Sequence, residues 1–277
     1  LEDKLTATEA ERAAMKHVLR RKGSLQFKRD IEAFLDVWQK ELIPDGLVFG
    51  NVRLLTRSEL ESIFLTQLKP FPLEKRIDET KKYVKKRLNA VSEQMKRQLN
   101  AMAETRLTQL LSSMPDGAER RTRATRLFES RDARLAEVDE RAKQYLKDFR
   151  SLWPSLKLCD VYAECLRRTC DEAVCAATLP YAEKNQAHLE DLPALTVIGR
   201  AVVGIKPTGI RHVLVDECQD FSPFQVQLLR EVTADAAFTL VGDLMQGVHD
   251  DEGIVGFDEW FAPVFGGRVE VKQLETG

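Results

Sequence analysis

The chain has 277 residues, 43% of them hydrophobic and 31% charged, with aromatic residues at only 7%. That composition excludes a disordered tail and a membrane protein, and the length allows one large domain or two smaller ones. The formal net charge is -2, which at face value argues against a dedicated nucleic-acid binder, but the sum hides two regions of opposite sign. Residues 72–150 carry about 20 Lys and Arg against about 13 Asp and Glu, roughly +7, and the remainder is roughly -9. The best apolar run, Leu195 to Ile210, is interrupted by Arg200 and Lys206, so no membrane span is expected. The first residues, Leu1, Glu2, Asp3 and Lys4, show no signal-peptide pattern and no initiator Met, as expected of a piece of a longer cytoplasmic protein.

In chain order, Ala7 to Arg21 and Lys28 to Leu42 have helical apolar spacing, the second with Ile31, Phe34, Leu35 and Trp38 on one face. Pro44-Asp45-Gly46 breaks the pattern, and Val52 to Leu55 reads as a short strand. Thr56-Arg57-Ser58-Glu59 is a capping-box sequence that starts a helix carrying Leu60, Ile63, Phe64 and Leu68, ended by Pro70 and Pro72.

From Leu73 to Leu152 the texture is that of long helix. Ile77, Val84, Leu88, Val91, Met95 and Met102 recur at steps of three, four or their sum, without internal Gly or Pro. Ser112 to Gly117 is a turn, after which Phe128, Leu135, Val138, Ala142, Tyr145, Phe149 and Leu152 form a second stripe. Two long helices joined by a short turn are expected to lie antiparallel as a helical arm. Arg120, Arg121, Arg123 and Arg126 cluster just past its turn; they fit either a solvated tip or a surface for a polyanionic partner. Trp153 beside Pro154 reads as the hydrophobic anchor of the hairpin base rather than a base-stacking platform.

Five cysteines give no disulfide framework, and Cys159, Cys165, Cys170 and Cys175 lack zinc-knuckle spacing. They suit one helix from about Asp160 to Thr178, in a chain from a reducing compartment. Asp191 to Val203 is a further helix. Past Gly209 the pattern becomes α/β: strand His212 to Val215, helix Pro223 to Val232, strand Phe238 to Val241 and a possible strand Val269 to Lys272. The expected fold class is therefore mostly α with an α/β part, a parallel sheet with helices packed on it.

The chemistry concentrates at two strand ends. Val213-Leu214-Val215 leads to Asp216-Glu217-Cys218-Gln219-Asp220, and Thr239-Leu240-Val241 leads to Gly242-Asp243-Leu244-Met245-Gln246. Adjacent carboxylates at the carboxyl end of a parallel strand can divide labour, one holding Mg2+ and the other taking a proton from an attacking water. An acidic loop that merely caps the next helix is the alternative. His212 and His249 are isolated, and with Trp38 and Trp260 read as packing or surface residues.

Together these segments resemble helicase superfamily 1 of the UvrD/Rep type, whose Walker B motif reads Asp-Glu-x-Gln-Asp and whose next motif reads Val-Gly-Asp-x-x-Gln. The resemblance implies a partial RecA-like, P-loop NTPase lobe that uses ATP and Mg2+, an ATP hydrolase of the helicase class. Asp216 would be the Mg2+ ligand through water, Glu217 the catalytic base, and Gln219 and Asp220 the coupling residues. Gly242, Asp243 and Gln246 would belong to the motif that links the γ-phosphate to the nucleic-acid track. Asp220-Phe221-Ser222-Pro223-Phe224-Gln225 and Gly242 to His249 are most similar to HelD, the helicase-like ATPase of bacterial RNA polymerase. That resemblance implies an arm, residues 1–190, that enters the polymerase main channel to open the clamp and release nucleic acid, and a lobe, residues 191–277. Alternatives are a UvrD-like helicase whose insertion binds duplex DNA, and a non-catalytic coiled-coil interaction module. No Gly-x-x-x-x-Gly-Lys-Ser/Thr loop occurs in the sequence, so the chain alone is expected neither to bind ATP tightly nor to hydrolyse it.

Overall fold

The computed structural model describes residues 8–206, 208–233, 236–243 and 257–272. The chain divides into two compact units, Leu1–Trp38 with Ser155–Gly277, and Gln39–Pro154.

In the first unit, α1 (Glu9–Gly23) opens on a capping box in which Glu11 N donates to Thr8 Oγ1 and Thr8 N donates to the Glu11 carboxylate. Helix α2 (Leu25–Glu41) begins here and buries Phe27, Ile31, Phe34, Leu35 and Trp38, the face expected from its spacing. Trp38 stacks on Phe34 at 5.9 Å. After the second unit the chain returns as α6 (Leu158–Thr169), α7 (Glu172–Ala182) and α8 (Leu192–Val202). The single helix expected from Asp160 to Thr178 is thus two. Asp171 accepts from Val174 N at 3.0 Å and caps α7, so the chain turns at Cys170–Asp171 although neither Gly nor Pro marks the break.

A buried polar knot joins these helices. Lys22 and Asp191, 4% and 1% exposed, pair at 2.7 Å. Tyr162 Oη donates to the same Asp191 oxygen at 2.7 Å, and His188 N donates to the other at 2.9 Å. Two groups this deep persist because they pair with each other and both carboxylate oxygens accept hydrogen bonds.

The α/β part follows: β3 (His212–Val215), α9 (Pro223–Val232), β4 (Ala237–Leu240) and α10 (Phe257–Phe265). Strands β3 and β4 pair in parallel, His212 opposite Ala237 through Val215 opposite Leu240. Residues Val269 to Lys272, read as a possible strand, carry no regular structure, and Val271 is exposed. One sheet face rests on a core of Val215, Cys218, Val226, Phe261 and Val264. On α9, Glu231 joins Lys28 at 2.9 Å, Arg200 at 2.6 Å and Gln227 at 2.8 Å. Burial works against its charge, but the bonds from Gln227 and Lys28 outweigh that and hold its carboxyl below the usual glutamate value.

The second unit starts with an antiparallel hairpin, β1 (Gly46–Phe49) and β2 (Val52–Thr56), bulged between Leu47 and Val48. Its turn uses Gly50 at φ 58°, a left-handed position that glycine adopts without strain. Strand β1 is absent from the sequence expectation because Gly46 begins it directly after the Pro44-Asp45 break. The Thr56–Glu59 capping box forms as expected and opens α3 (Arg57–Glu61), which continues as a π-helical turn over Ser62–Gln67.

The arm is α4 (Leu73–Ser113) against α5 (Ala118–Ser151). Val84 and Leu88 are fully buried, each contributing about 1.5–3 kcal/mol of apolar burial. The expected stripes are right near the base and drift toward the tip. Met102 is 60% exposed and Ala103 takes the buried position; Phe128 is 37% exposed, with the Arg131 guanidinium 4.9 Å from its ring centre. A helix of 3.6 residues per turn walks away from a strict seven-residue repeat, so a seam read as heptads misses by one residue after several turns. At the base the stripe fails at one position, Leu152, which caps the end of α5 and is exposed, and Trp153 is the base anchor instead, stacked on Phe64 at 5.7 Å and edge-on to Phe149 at 6.1 Å.

Candidate nucleotide site

Parallel pairing sends the carboxyl ends of β3 and β4 to the same edge of the sheet, and two bonds extend the ladder past the strands. Val241 N donates to Val215 O at 2.8 Å and Cys218 N donates to Val241 O at 2.9 Å. This brings Asp216, Glu217, Gln219 and Asp220 of the first motif together with Gly242 and Asp243 of the second. Gln246, with His249, lies outside the described residues, as does the side chain of Trp260.

Asp216 and Glu217 are both exposed. Glu217 is left-handed, φ 52° and ψ 46°, an uncommon backbone for a residue with a long side chain. Local bonds hold it there: its N–H donates to Asp216 Oδ1 at 3.0 Å, and its carbonyl accepts Asp220 N at 3.0 Å. Its carboxylate accepts Gln219 Nε2 at 2.6 Å. Gln219 itself is 8% exposed, and its Oε1 accepts Asp243 N at 3.1 Å. Cys218 points into the core, where burial, followed by the nearby Asp216 and Glu217 charges, pushes its thiol up to about 11. It is a packing residue there, as are buried Cys159 and Cys165; Cys170 and Cys175 are half-buried. His212 is exposed and meets Thr239 Oγ1 at 2.9 Å across the strands.

Gly242 has a steric reason to be glycine. A Cβ there would lie 2.3 Å from Gln219 Oε1, 2.9 Å from Cys218 Sγ and 3.1 Å from Cys218 N. The second motif therefore closes onto the first through a missing side chain. A glycine at a strand end was the only sequence signal of this fit, and nothing in the sequence marked the left-handed Glu217.

Arginines of the arm tip are placed in α5 and its leading turn. Arg120 pairs with Asp116 at 2.8 Å and donates to Met114 O, Arg121 is 3.9 Å from Asp116, and Arg123 pairs with Glu119 at 2.7 Å. Arg126 is exposed on the same helix.

A parallel strand pair presenting adjacent carboxylates at one edge, with a glycine-bearing second strand end against them, is the kind of strand-end edge at which α/β folds bind ligands. The chain matches the family model of the UvrD/REP helicase N-terminal domain over residues 23–250 and belongs to that family. No curated protein matches it.

UvrD/Rep helicases use ATP and Mg2+, and the residues present fit the cation. Mg2+ is held by one or two carboxylates together with water and phosphate oxygens rather than by an all-protein cage. Asp216 and Glu217 offer that donor set, and among the described residues no cluster of three or more His, Cys, Asp or Glu is arranged for another metal. When bound, Mg2+ neutralises phosphate charge. In the chain itself, the Gln219 amide holds the Glu217 carboxylate at this edge, with Asp216 beside it. Among the described residues no helix is long and apolar enough to cross a membrane.

Proposed function

We propose that this chain is the central part of a HelD-like ATPase, in which the helical arm engages the main channel of bacterial RNA polymerase in the cytoplasm, opens the clamp and releases nucleic acid. Asp216 acts there as the Mg2+ ligand through water, Glu217 as the general base, and Gly242, Asp243 and Gln246 as the link from the γ-phosphate to the nucleic-acid track. The reading divides the chain into an arm over 1–190, with its hairpin at about 73–152, and a motor lobe over 191–277.

The observation that carries it is the hairpin itself. Helix α4 has 41 residues and α5 has 34, so the arm reaches about 60 Å, inside the family match and ahead of the Asp216-Glu217 strand. A hairpin of that length is out of proportion to a motif that only has to hydrolyse ATP. Some of its surface charges pair within the arm, Lys96 with both Glu93 and Asp139, Arg141 with Glu137 and Lys143 with Glu140.

Purified core RNA polymerase, free of nucleic acid, is expected to be retained by the immobilised chain. The reading fails if polymerase is not retained while duplex DNA is, in a salt-sensitive manner that falls when Arg120, Arg121, Arg123 and Arg126 are replaced by Ala. In the same reading the chain lacks a phosphate loop and does not turn over ATP by itself; Mg2+-dependent turnover lost on Glu217→Gln would overturn that part.

A further inference from the structure

We infer that Gln219 is a positioning residue, a two-ended clamp that sets the Glu217 carboxylate according to where the end of the neighbouring strand lies. Its amide spans the two motifs: Nε2 donates to Glu217 Oε2 at 2.6 Å and Oε1 accepts Asp243 N at 3.1 Å. Only one orientation of the amide satisfies both. Turned by 180°, it would set its NH2 against the Asp243 N–H and its oxygen against the Glu217 carboxylate, donor facing donor and acceptor facing acceptor. The clamp is therefore polarised, and its rotation is locked by chemistry at each end.

Space locks it as well. Gln219 is 8% exposed, and its Oε1 sits where a Cβ on residue 242 would be, 2.3 Å away. Any shift of Gly242 toward the first strand end must push the amide, and the amide must carry Glu217 with it. Glu217 is receptive to such a push because its left-handed backbone is kept by short local bonds rather than by a helix or strand. The clamp thus gives the second motif a physical path to the general base. Glutamine is required for it. Glutamate has the reach and can accept the Asp243 N–H, but it sets carboxylate against carboxylate; methionine has similar length and makes neither bond; asparagine is one methylene short.

This inference rests on reading Asp216-Glu217 as the nucleotide site, but its test does not. In the full chain labelled with 13C at glutamate carboxyl carbons, the Glu217 signal is assigned by its loss in Glu217→Gln. Gly242→Ala is expected to move that signal together with the Asp243 amide, whereas Gly209→Ala, where a Cβ meets nothing within 4 Å, leaves both in place. In a Gln219→Met background the Glu217 signal starts displaced, and adding Gly242→Ala moves it no further. A Glu217 signal that ignores Gly242→Ala, or responds equally with methionine at 219, overturns the clamp, because a purely structural glutamine would not carry the displacement across. Should Gly242→Ala unfold the chain, Gln219→Met, which makes neither bond, decides: both the Glu217 carboxyl and the Asp243 amide must shift, and movement of one alone overturns the inference. The readout needs neither ATP nor polymerase, so loss of polymerase binding and loss of the clamp are separate results.

Discussion

The two compact units are held together in opposite ways. In the unit 39–154, the arm is stabilised by a narrow apolar seam repeated along two helices, and its charges pair between residues close in the chain or directly across the hairpin. In the other unit the decisive contacts join segments far apart in sequence: Lys22 to Asp191, Lys28 to Glu231, Arg200 to Glu231 and Phe27 to Phe224. The difference shows which parts of a helicase-family chain are specified by local repetition and which by long-range polar contacts. A helical hairpin can be built from repeats, each turn contributing about as much as the next. A strand-end edge such as Glu217–Gln219–Asp243 needs a few groups at fixed positions, and those are supplied by different stretches of chain.

The largest expected effect breaks the polar knot. Asp191→Ala leaves the Lys22 ammonium buried without its partner, a loss of about 3–5 kcal/mol. Hydrogen exchange should lose protection across Glu9–Gly23, Leu158–Thr169 and Leu192–Val202 before Leu73–Ser113; uniform loss would show the two units to be one cooperative body. Second is the arm. Leu88→Ala removes a fully buried side chain from the seam and is expected to cost about 2–5 kcal/mol, with urea unfolding as the measure and protection lost first in α4 and α5.

Next comes a pH effect confined to the site-bearing unit. Glu231 is more acidic in the folded chain than its ordinary value of 4.5, so the stabilisation it supplies is complete above about pH 4.5 and is lost as pH falls through the lower folded value. The thermal midpoint of the native protein is expected to drop more steeply over that acid range than that of Glu231→Gln. Parallel curves would show that Glu231 contributes no proton-linked stability over that range. Smallest is Met102→Gln on the outer face of the arm, expected to change stability by within about 0.5 kcal/mol because the seam runs through Ala103 instead. A larger loss in urea unfolding would move the seam back to the position read from the sequence.

How much of this was legible beforehand follows the same division. The capping box at Thr56 was readable because Thr56 and Glu59 interact within one turn, and α9 begins and ends where Pro223 and Val232 were expected to place it. The break between α6 and α7 was not readable, since an Asp N-cap inside an apolar, cysteine-bearing stretch looks the same as a helical Asp until its backbone turns. The motif residues were legible by type. Glu217 and Gln219 stood out as polar groups at a strand end, but the left-handed backbone of one and the two-ended grip of the other depend on Asp243 and Gly242, more than twenty residues downstream.

The sequence by itself determined the helical arm and its approximate limits, the two polar strand ends, and a composition split between a basic middle and acidic flanks. These are properties of short-range periodicity, turn residues and local charge. Tertiary structure decided the rest: which residue of each turn faces the seam, the partner of buried Lys22, and the packing of Gly242 against the Gln219 amide. Each of these needs the chain to return to itself at a particular distance, and a period of three or four residues carries no record of where that return occurs.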